Sequence, residues 1–323
     1  MSRPNLFAFG RSELSQDAFL CWLLAWADAS HEAAEPAHHA AGRAFLAALF
    51  RTHALEVPGP SSVTVRQQLC DCDIVVELGE SHVLVIEDKV DATNRNRLAE
   101  YRARIEGHYP GRTVVCVFLK TGDQSHYEYV CAQGWTVFGR DALLDVLRAH
   151  RSVSSDIFRD YLARLEAIEA ETRGFRTAPL SAWSRRAWAG FFLALQEELP
   201  GAWWSYVPNP SGGFMCFNYA HRPLCDGMAL FPQLEEHRLV LKLHVPDKAR
   251  RSAERDAWVR RLVSADGPWR RPGRLGHGAY MSVAESAEAY RQVDGAGRLV
   301  LDETSARLKQ VAAWIAALDG ARV

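Results

Sequence analysis

The 323-residue chain is expected to adopt a mixed α/β fold. Segments with apolar residues at helical spacing open the chain and recur along it. Between Val63 and Leu119, short apolar runs of strand length are separated by polar turns. Their order, helix, three strands, helix, strand, is that of one layered domain of about 150 residues. The hydrophobic and charged fractions, 48% and 24%, are those of an ordinary globular protein rather than a disordered one.

Ser12 is the expected N-cap of a first helix reaching to about Ala29, with Phe19, Trp22, Leu23 and Trp26 on one side. Glu13 in its first turn suits the positive end of the helix dipole. A loop carrying His31, Glu35, His38 and His39 is expected next, then a helix over Ala40–His53. Val63–Leu69 reads as a strand. Cys70 to Lys89 (CDCDIVVELGESHVLVIEDK) reads as two more strands joined by the turn Gly79-Glu80-Ser81. A basic amphipathic helix over Arg97–Gly107 is expected after them, then a buried strand at Val114–Leu119, a short strand at Trp135–Phe138 and a helix at Asp141–Ala149.

A long helix over Ser154–Thr172 leads to Gly174–Pro179, the expected boundary between domains at 1–175 and 176–323. The second domain is expected to be a smaller α+β unit. Its helices are placed at Trp183–Glu198, Ala249–Val263 and Thr304–Leu318. Its strands are placed at Trp203–Val207, Phe214–Tyr219 and Leu239–His244.

Net charge is −1, so no global electrostatic argument selects a nucleic-acid partner. Residues 1–150 hold 14 Lys and Arg against 19 Asp and Glu, whereas residues 151–323 hold 24 against 20. The seven cysteines include no CxxC pair and are read as buried thiols of a reducing, cytoplasmic setting. No signal peptide or membrane-length apolar run is read. The absence of G-x-S-x-G, P-loop and G-x-G-x-x-G patterns argues against serine hydrolases, NTPases and dinucleotide enzymes.

The chemistry concentrates between Cys70 and Lys89. Strand side chains alternate, so Glu87 and Lys89 share one face and Asp88 takes the other. In a hairpin, Asp73 would lie level with Glu87. Two acids and a lysine would then meet at the edge of a buried sheet, where unpartnered charges are costly. The plainer alternative is a set of solvated strand-end residues and a surface ion pair. Asp71, two residues from Asp73, competes with it as a ligand.

Asp73, thirteen intervening residues and Glu87-x-Lys89 resemble the metal site of the PD-(D/E)XK nuclease superfamily. The helix opening at Glu13, the Val85–Ala92 strand and exit turn, and Leu98-x-x-Tyr101 extend the resemblance over roughly residues 10–150. Pro208–Phe214, within a Trp-rich C-terminal half, is similar to one branch of it. The resemblance implies a restriction-endonuclease-like αβββαβ mixed-sheet core and a Mg²⁺ (or Mn²⁺)-dependent nuclease hydrolysing phosphodiester bonds, DNA being the expected substrate. A bacterial antiviral defence or restriction setting is the analogy that goes with it.

By that resemblance Asp73, Glu87 and the Asp88 carbonyl would hold the metal, with Glu13 in its outer shell through water. A hard ion such as Mg²⁺ takes oxygen ligands of this kind. Lys89 would orient the attacking water or steady the phosphorus centre. Arg97 stands where the branch often has Gln. Arg97 and Arg95, with Arg102, are expected phosphate contacts or a solvated basic face. Arg250, Arg251, Arg255, Arg260 and Arg261 around one later helix pose the same choice. A catalytically silent nucleic-acid-binding or regulatory subunit is the alternative function. The second domain would serve substrate contact, dimerisation or partner binding.

Overall fold

In the computed structural model, residues 4–10, 12–59, 62–91, 97–208, 212–263 and 267–318 are described. The chain forms two compact units, Met1–Ala170 and Glu171–Val323. The division falls within a helix, ahead of the boundary expected at Gly174–Pro179. No described helix is long and apolar enough to cross a membrane.

The first unit begins with helices α1 (Glu13–Ala25) and α2 (Pro36–Arg51). Ser12 caps α1, its Oγ accepting the Ser15 N–H. Pro36 at the first position of α2 starts that helix earlier than expected. His38 and His39 therefore lie on a helix, where His38 packs at 4.7 Å on the Trp26 ring. Gly42 lets α1 and α2 touch, since a Cβ there would lie 2.6 Å from the Leu23 carbonyl oxygen.

Strands β1 (Val63–Leu69), β2 (Cys72–Leu78) and β3 (His82–Lys89) form an antiparallel meander. Helix α3 (Leu98–His108) then carries the chain across to β4 (Thr113–Lys120), parallel to β3. The short α4 (Glu128–Cys131) precedes β5 (Thr136–Gly139), parallel to β4. Helices α5 (Arg140–Ala149) and α6 (Asp156–Arg173) follow, and the sheet order is β1-β2-β3-β4-β5.

Both faces of this sheet are covered. Leu84 and Ile86 point into a core shared with α1, α2, α5 and α6, whereas Val83 and Val85 point to α3 and Trp135. Strand β3 is buried along nearly its whole length, which explains its continuous apolar run. Truncating Ile86 to Ala in such a site costs about 2–5 kcal/mol.

The second unit starts from the last turn of α6 and contains α7 (Arg185–Glu198), β6 (Trp203–Val207), β7 (Phe214–Asn218), β8 (Arg222–Pro223), β9 (Ala229–Glu235) and β10 (Leu239–His244). Helix α8 (Arg251–Leu262), β11 (Trp269–Arg270), β12 (Tyr280–Ser286) and α9 (Leu301–Ala317) complete it. Its sheet is antiparallel, in the order β11-β12-β10-β9-β7-β6 with β8 on β9. Its core contains Trp188, Phe191 and Phe192 of α7, Trp258 of α8 and Leu308 of α9. Strands β9 and β12 were not anticipated. Pro232 sits within β9 and Ser282 and Ser286 within β12, and each weakens the strand signal.

The β1–β2 turn is strained. Cys70 and Asp71 both take positive φ, 56° and 66°, which suits Asn-Gly far better than these residues. Replacing Cys70→Asn together with Asp71→Gly should raise stability by about 1 kcal/mol. Urea denaturation would show this as a higher midpoint at unchanged slope. An unchanged or lower midpoint would mean that the turn is not under strain.

Candidate functional site

The site begins where the β2–β3 ladder ends. The last paired residues are Ile74 and Ile86, and one step further Asp73 comes level with Glu87. There the Asp73 side chain replaces the backbone partner: its Oδ2 accepts the Asp88 N–H at 2.9 Å. Glu87 and Lys89 are buried, 2% and 9% exposed, and lie on the α3 side of the strand, where alternation puts them.

Four oxygens surround the Lys89 ammonium. Nζ lies 2.6 Å from the Asp88 carbonyl oxygen, 2.9 Å from Glu87 Oε1, 3.2 Å from Asp73 Oδ2 and 3.6 Å from Glu13 Oε2. Glu13 reaches this point because it is the first residue of the capped α1, and its Oε1 also accepts the Val90 N–H at 3.3 Å. Burial works against the charge on Lys89. The Glu87, Asp73 and Glu13 carboxylates outweigh it and hold the ammonium above its ordinary range. Lys89 is therefore a fixed cation here.

The four residues singled out from sequence thus come together, but around the lysine. Among the described residues no three His, Cys, Asp or Glu side chains are arranged to hold a metal ion directly. The donor set nevertheless suits a hard divalent cation: three carboxylates and a carbonyl, all oxygen, converge on one positive centre. Asp73, Glu87 and the Asp88 carbonyl would hold such an ion, with Glu13 beside them. Lys89 would have to withdraw from the centre.

A second lysine was not anticipated. Lys120 ends β4 in register with Lys89 and is wholly buried. Burial pushes its amine down to about 8, against the pull of Asp91, Glu13 and Asp123. The only signal in the sequence was a lysine closing the apolar run Val114–Leu119. Beyond it the ladder continues as Thr121 N–H to Lys89 O, 3.1 Å, and Gly122 N–H to Val90 O, 2.8 Å. Only glycine fits at 122, since a Cβ would lie 2.1 Å from the Val90 oxygen.

The other face of β3 holds a buried acid pair. Asp17 of α1 and Asp88 are 2% and 0% exposed. Gln16 Nε2 donates to Asp88 Oδ1 at 2.6 Å. Among the described residues no N–H or hydroxyl group donates to Asp17 Oδ1 or Asp88 Oδ2, and a proton held between the two carboxyls would satisfy both. Burial is the main cause that raises Asp17 to about 6, and burial followed by the charge of Asp17 raises Asp88 well above the usual carboxylate range. Sequence reading assigned Asp88 only a carbonyl and passed over Gln16 and Asp17. The apolar face of α1 could have flagged Gln16, which stands four residues before the buried Leu20.

The remaining expectations scatter. Asp71 pairs with Arg104 on α3 and takes no part in the cluster around Lys89. Arg97 is exposed and pairs with Glu100 at 3.2 Å. Arg102 binds Glu106 and the Gly134 carbonyl. Arg95 lies outside the described residues, as do Ala92 and the tip of the Pro208–Phe214 loop. Arg250, just before α8, pairs with Asp226 and Glu254, and Arg255 on α8 with Asp256. All seven cysteines are free thiols. Compared with known proteins, the chain matches no family model, no curated protein and no solved structure.

The acid pair sets a pH dependence. A carboxyl raised on folding from 3.8 to about 6, as for Asp17, keeps its proton in the folded chain after the unfolded chain has lost it. Its contribution to stability is full below about pH 4 and falls as pH rises through about 6. Asp88→Asn supplies a permanent donor to Asp17. In melts with chelator at pH 5 and pH 8, the wild type should lose more melting temperature across this interval than Asp88→Asn. Equal losses would rule out the shared proton.

Proposed function

We propose that the chain is a divalent-metal-dependent nuclease with a restriction-endonuclease-like αβββαβ core, acting on phosphodiester bonds in DNA. The observation that carries the reading is the convergence of Asp73, Glu87, the Asp88 carbonyl and Glu13 on one cation centre at the end of a buried strand. Carboxylates gathered this way, with Glu87 desolvated among them, are costly for stability alone. The element order supports the same reading: a capped helix bearing Glu13, a second helix, three meander strands, a crossover helix and two parallel strands. Mg²⁺ or Mn²⁺ in this position would lower the pKa of a bound water and offset charge on the phosphate.

The protein side of the chemistry follows from the contacts. Asp73 is held by the Asp88 N–H and, at 3.4 Å, by the Gln68 amide, so one carboxylate oxygen stays aimed at the centre. Glu87 is buried and pinned by Lys89, which limits its rotation. Glu13 is 38% exposed at the side chain and Asp73 20%, so the approach for a phosphate lies on their side. With a metal in the centre, Lys89 would be displaced and its charge would be available to the phosphate oxygens. The cytoplasm, where free thiols persist, is the compartment that fits seven unpaired cysteines.

A second reading draws on the same centre. Lys89 already pairs with the three acids, as it would in a silent nucleic-acid-binding subunit that keeps the fold without turnover. Glu87→Ala and Lys89→Ala separate the two. Under the nuclease reading each lowers Mg²⁺-dependent cleavage of DNA by about 100-fold or more, and chelator abolishes wild-type cleavage. Wild-type turnover in both variants would sink the mechanism. Calorimetry with Mn²⁺ adds an independent expectation: Lys89→Ala binds the ion more tightly than wild type, because the competing ammonium is gone. Absence of Mn²⁺ binding at millimolar concentration, with DNA present, selects the silent subunit.

A further inference from the structure

We propose that Gln16 is a positioning residue that sets the aim of the Asp88 backbone at the cation centre, an inference that rests on the nuclease reading above for its metal consequence. Gln16 lies one turn after Glu13 on α1, so the same helix serves both faces of β3's last residues. Its side chain is 6% exposed and fully engaged. The amide oxygen accepts two hydroxyls, Thr121 Oγ1 and Tyr161 OH, each at 2.9 Å. Two donors on the oxygen decide which end of the amide is which, and Nε2 is left facing Asp88 Oδ1 at 2.6 Å.

The clamp is anchored on three elements. Thr121 follows β4, and its carbonyl is held by Arg140 Nη1 at 2.8 Å. Arg140 is itself fixed by Asp123 and Glu169. Tyr161 is on α6, its ring stacked on Phe19 at 3.8 Å. Gln16 therefore transmits a rigid frame to one side chain, Asp88. That residue's two backbone groups both act at the site: its N–H orients Asp73, and its carbonyl is one of the four oxygens about the centre. Losing that hold would let the Asp88 Cα shift, and the N–H on one side and the carbonyl on the other shift with it, because the two peptides meet at that Cα. Groups that orient metal ligands from behind in this way typically change affinity by 10–100-fold when removed.

Gln16→Met keeps length and apolar volume and removes the amide. Two readouts are followed: Mn²⁺ affinity by calorimetry, and hydrogen exchange at the Asp88 amide, whose protection comes from Asp73. The expected result is about 10-fold weaker Mn²⁺ binding and about 10-fold faster exchange at Asp88, with exchange in distant β2 residues unchanged. Should Gln16→Met fail to fold, Tyr161→Phe removes one anchoring hydroxyl while keeping the ring, and smaller changes in the same direction are expected. Lower melting temperature with wild-type affinity and wild-type Asp88 exchange would reduce Gln16 to a structural role and overturn the proposal. If wild type binds no Mn²⁺, the metal reading fails, yet the exchange measurement still decides whether Gln16 holds Asp88.

Discussion

Ionised groups must not be left alone at the end of a buried strand, and this constraint organises the first unit. Glu87, Asp88 and Lys89 close β3 with three ionisable side chains in succession, all 9% exposed or less. Burial of each would be costly without a partner. Everything that surrounds them can be read as an answer to that cost. Asp73 steps in where the ladder stops, α1 begins where Glu13 can reach, and the β4 exit runs close enough that only Gly122 fits against Val90.

The two faces of the strand solve the problem differently. On the α3 side, acids are balanced by a lysine that a divalent ion could replace, so the solution is exchangeable. On the α1 side, Gln16 donates to Asp88, and Asp88 and Asp17 are both sealed from solvent, where a shared proton would balance them. One face is therefore open to chemistry and the other is rigid. Under the nuclease reading that division would suit a metal site, whose ligands must be held by groups that do not themselves leave.

Much of this was legible in the chain. The helix capped by Ser12, the three strands after it and two further strands follow from apolar spacing and turn residues, with ends displaced by a few residues, whereas the parallel pairing of the later strands does not. The convergence of Asp73, Glu87 and Lys89 followed from register. Other features were not legible. Pro232 lies in a central strand at the gap between the β7 ladder, which ends at Gln233, and the β8 ladder, which includes Leu230, and its carbonyl accepts the Tyr219 N–H at 3.4 Å. Helix α2 captured two histidines expected in a loop, because Pro36 favours a helix start. Lys120 and Gln16 carried little signal: Lys120 closes an apolar run like an exposed strand end, and Gln16 lies between Ser15 and Asp17 in the polar first turns of α1.

What the sequence by itself determined is the local geometry of β3. Alternation is a property of the extended backbone, so Glu87 with Lys89 on one face and Asp88 on the other needed no knowledge of the fold. What met those side chains was a tertiary matter. Gln16 lies 72 residues from Asp88 and 145 from Tyr161, and Thr121 lies 105 from Gln16. No spacing rule spans such separations. These partners are brought together by the packing of α1 and α6 on one side of the sheet, and the burial that results turns ordinary polar residues into a clamp.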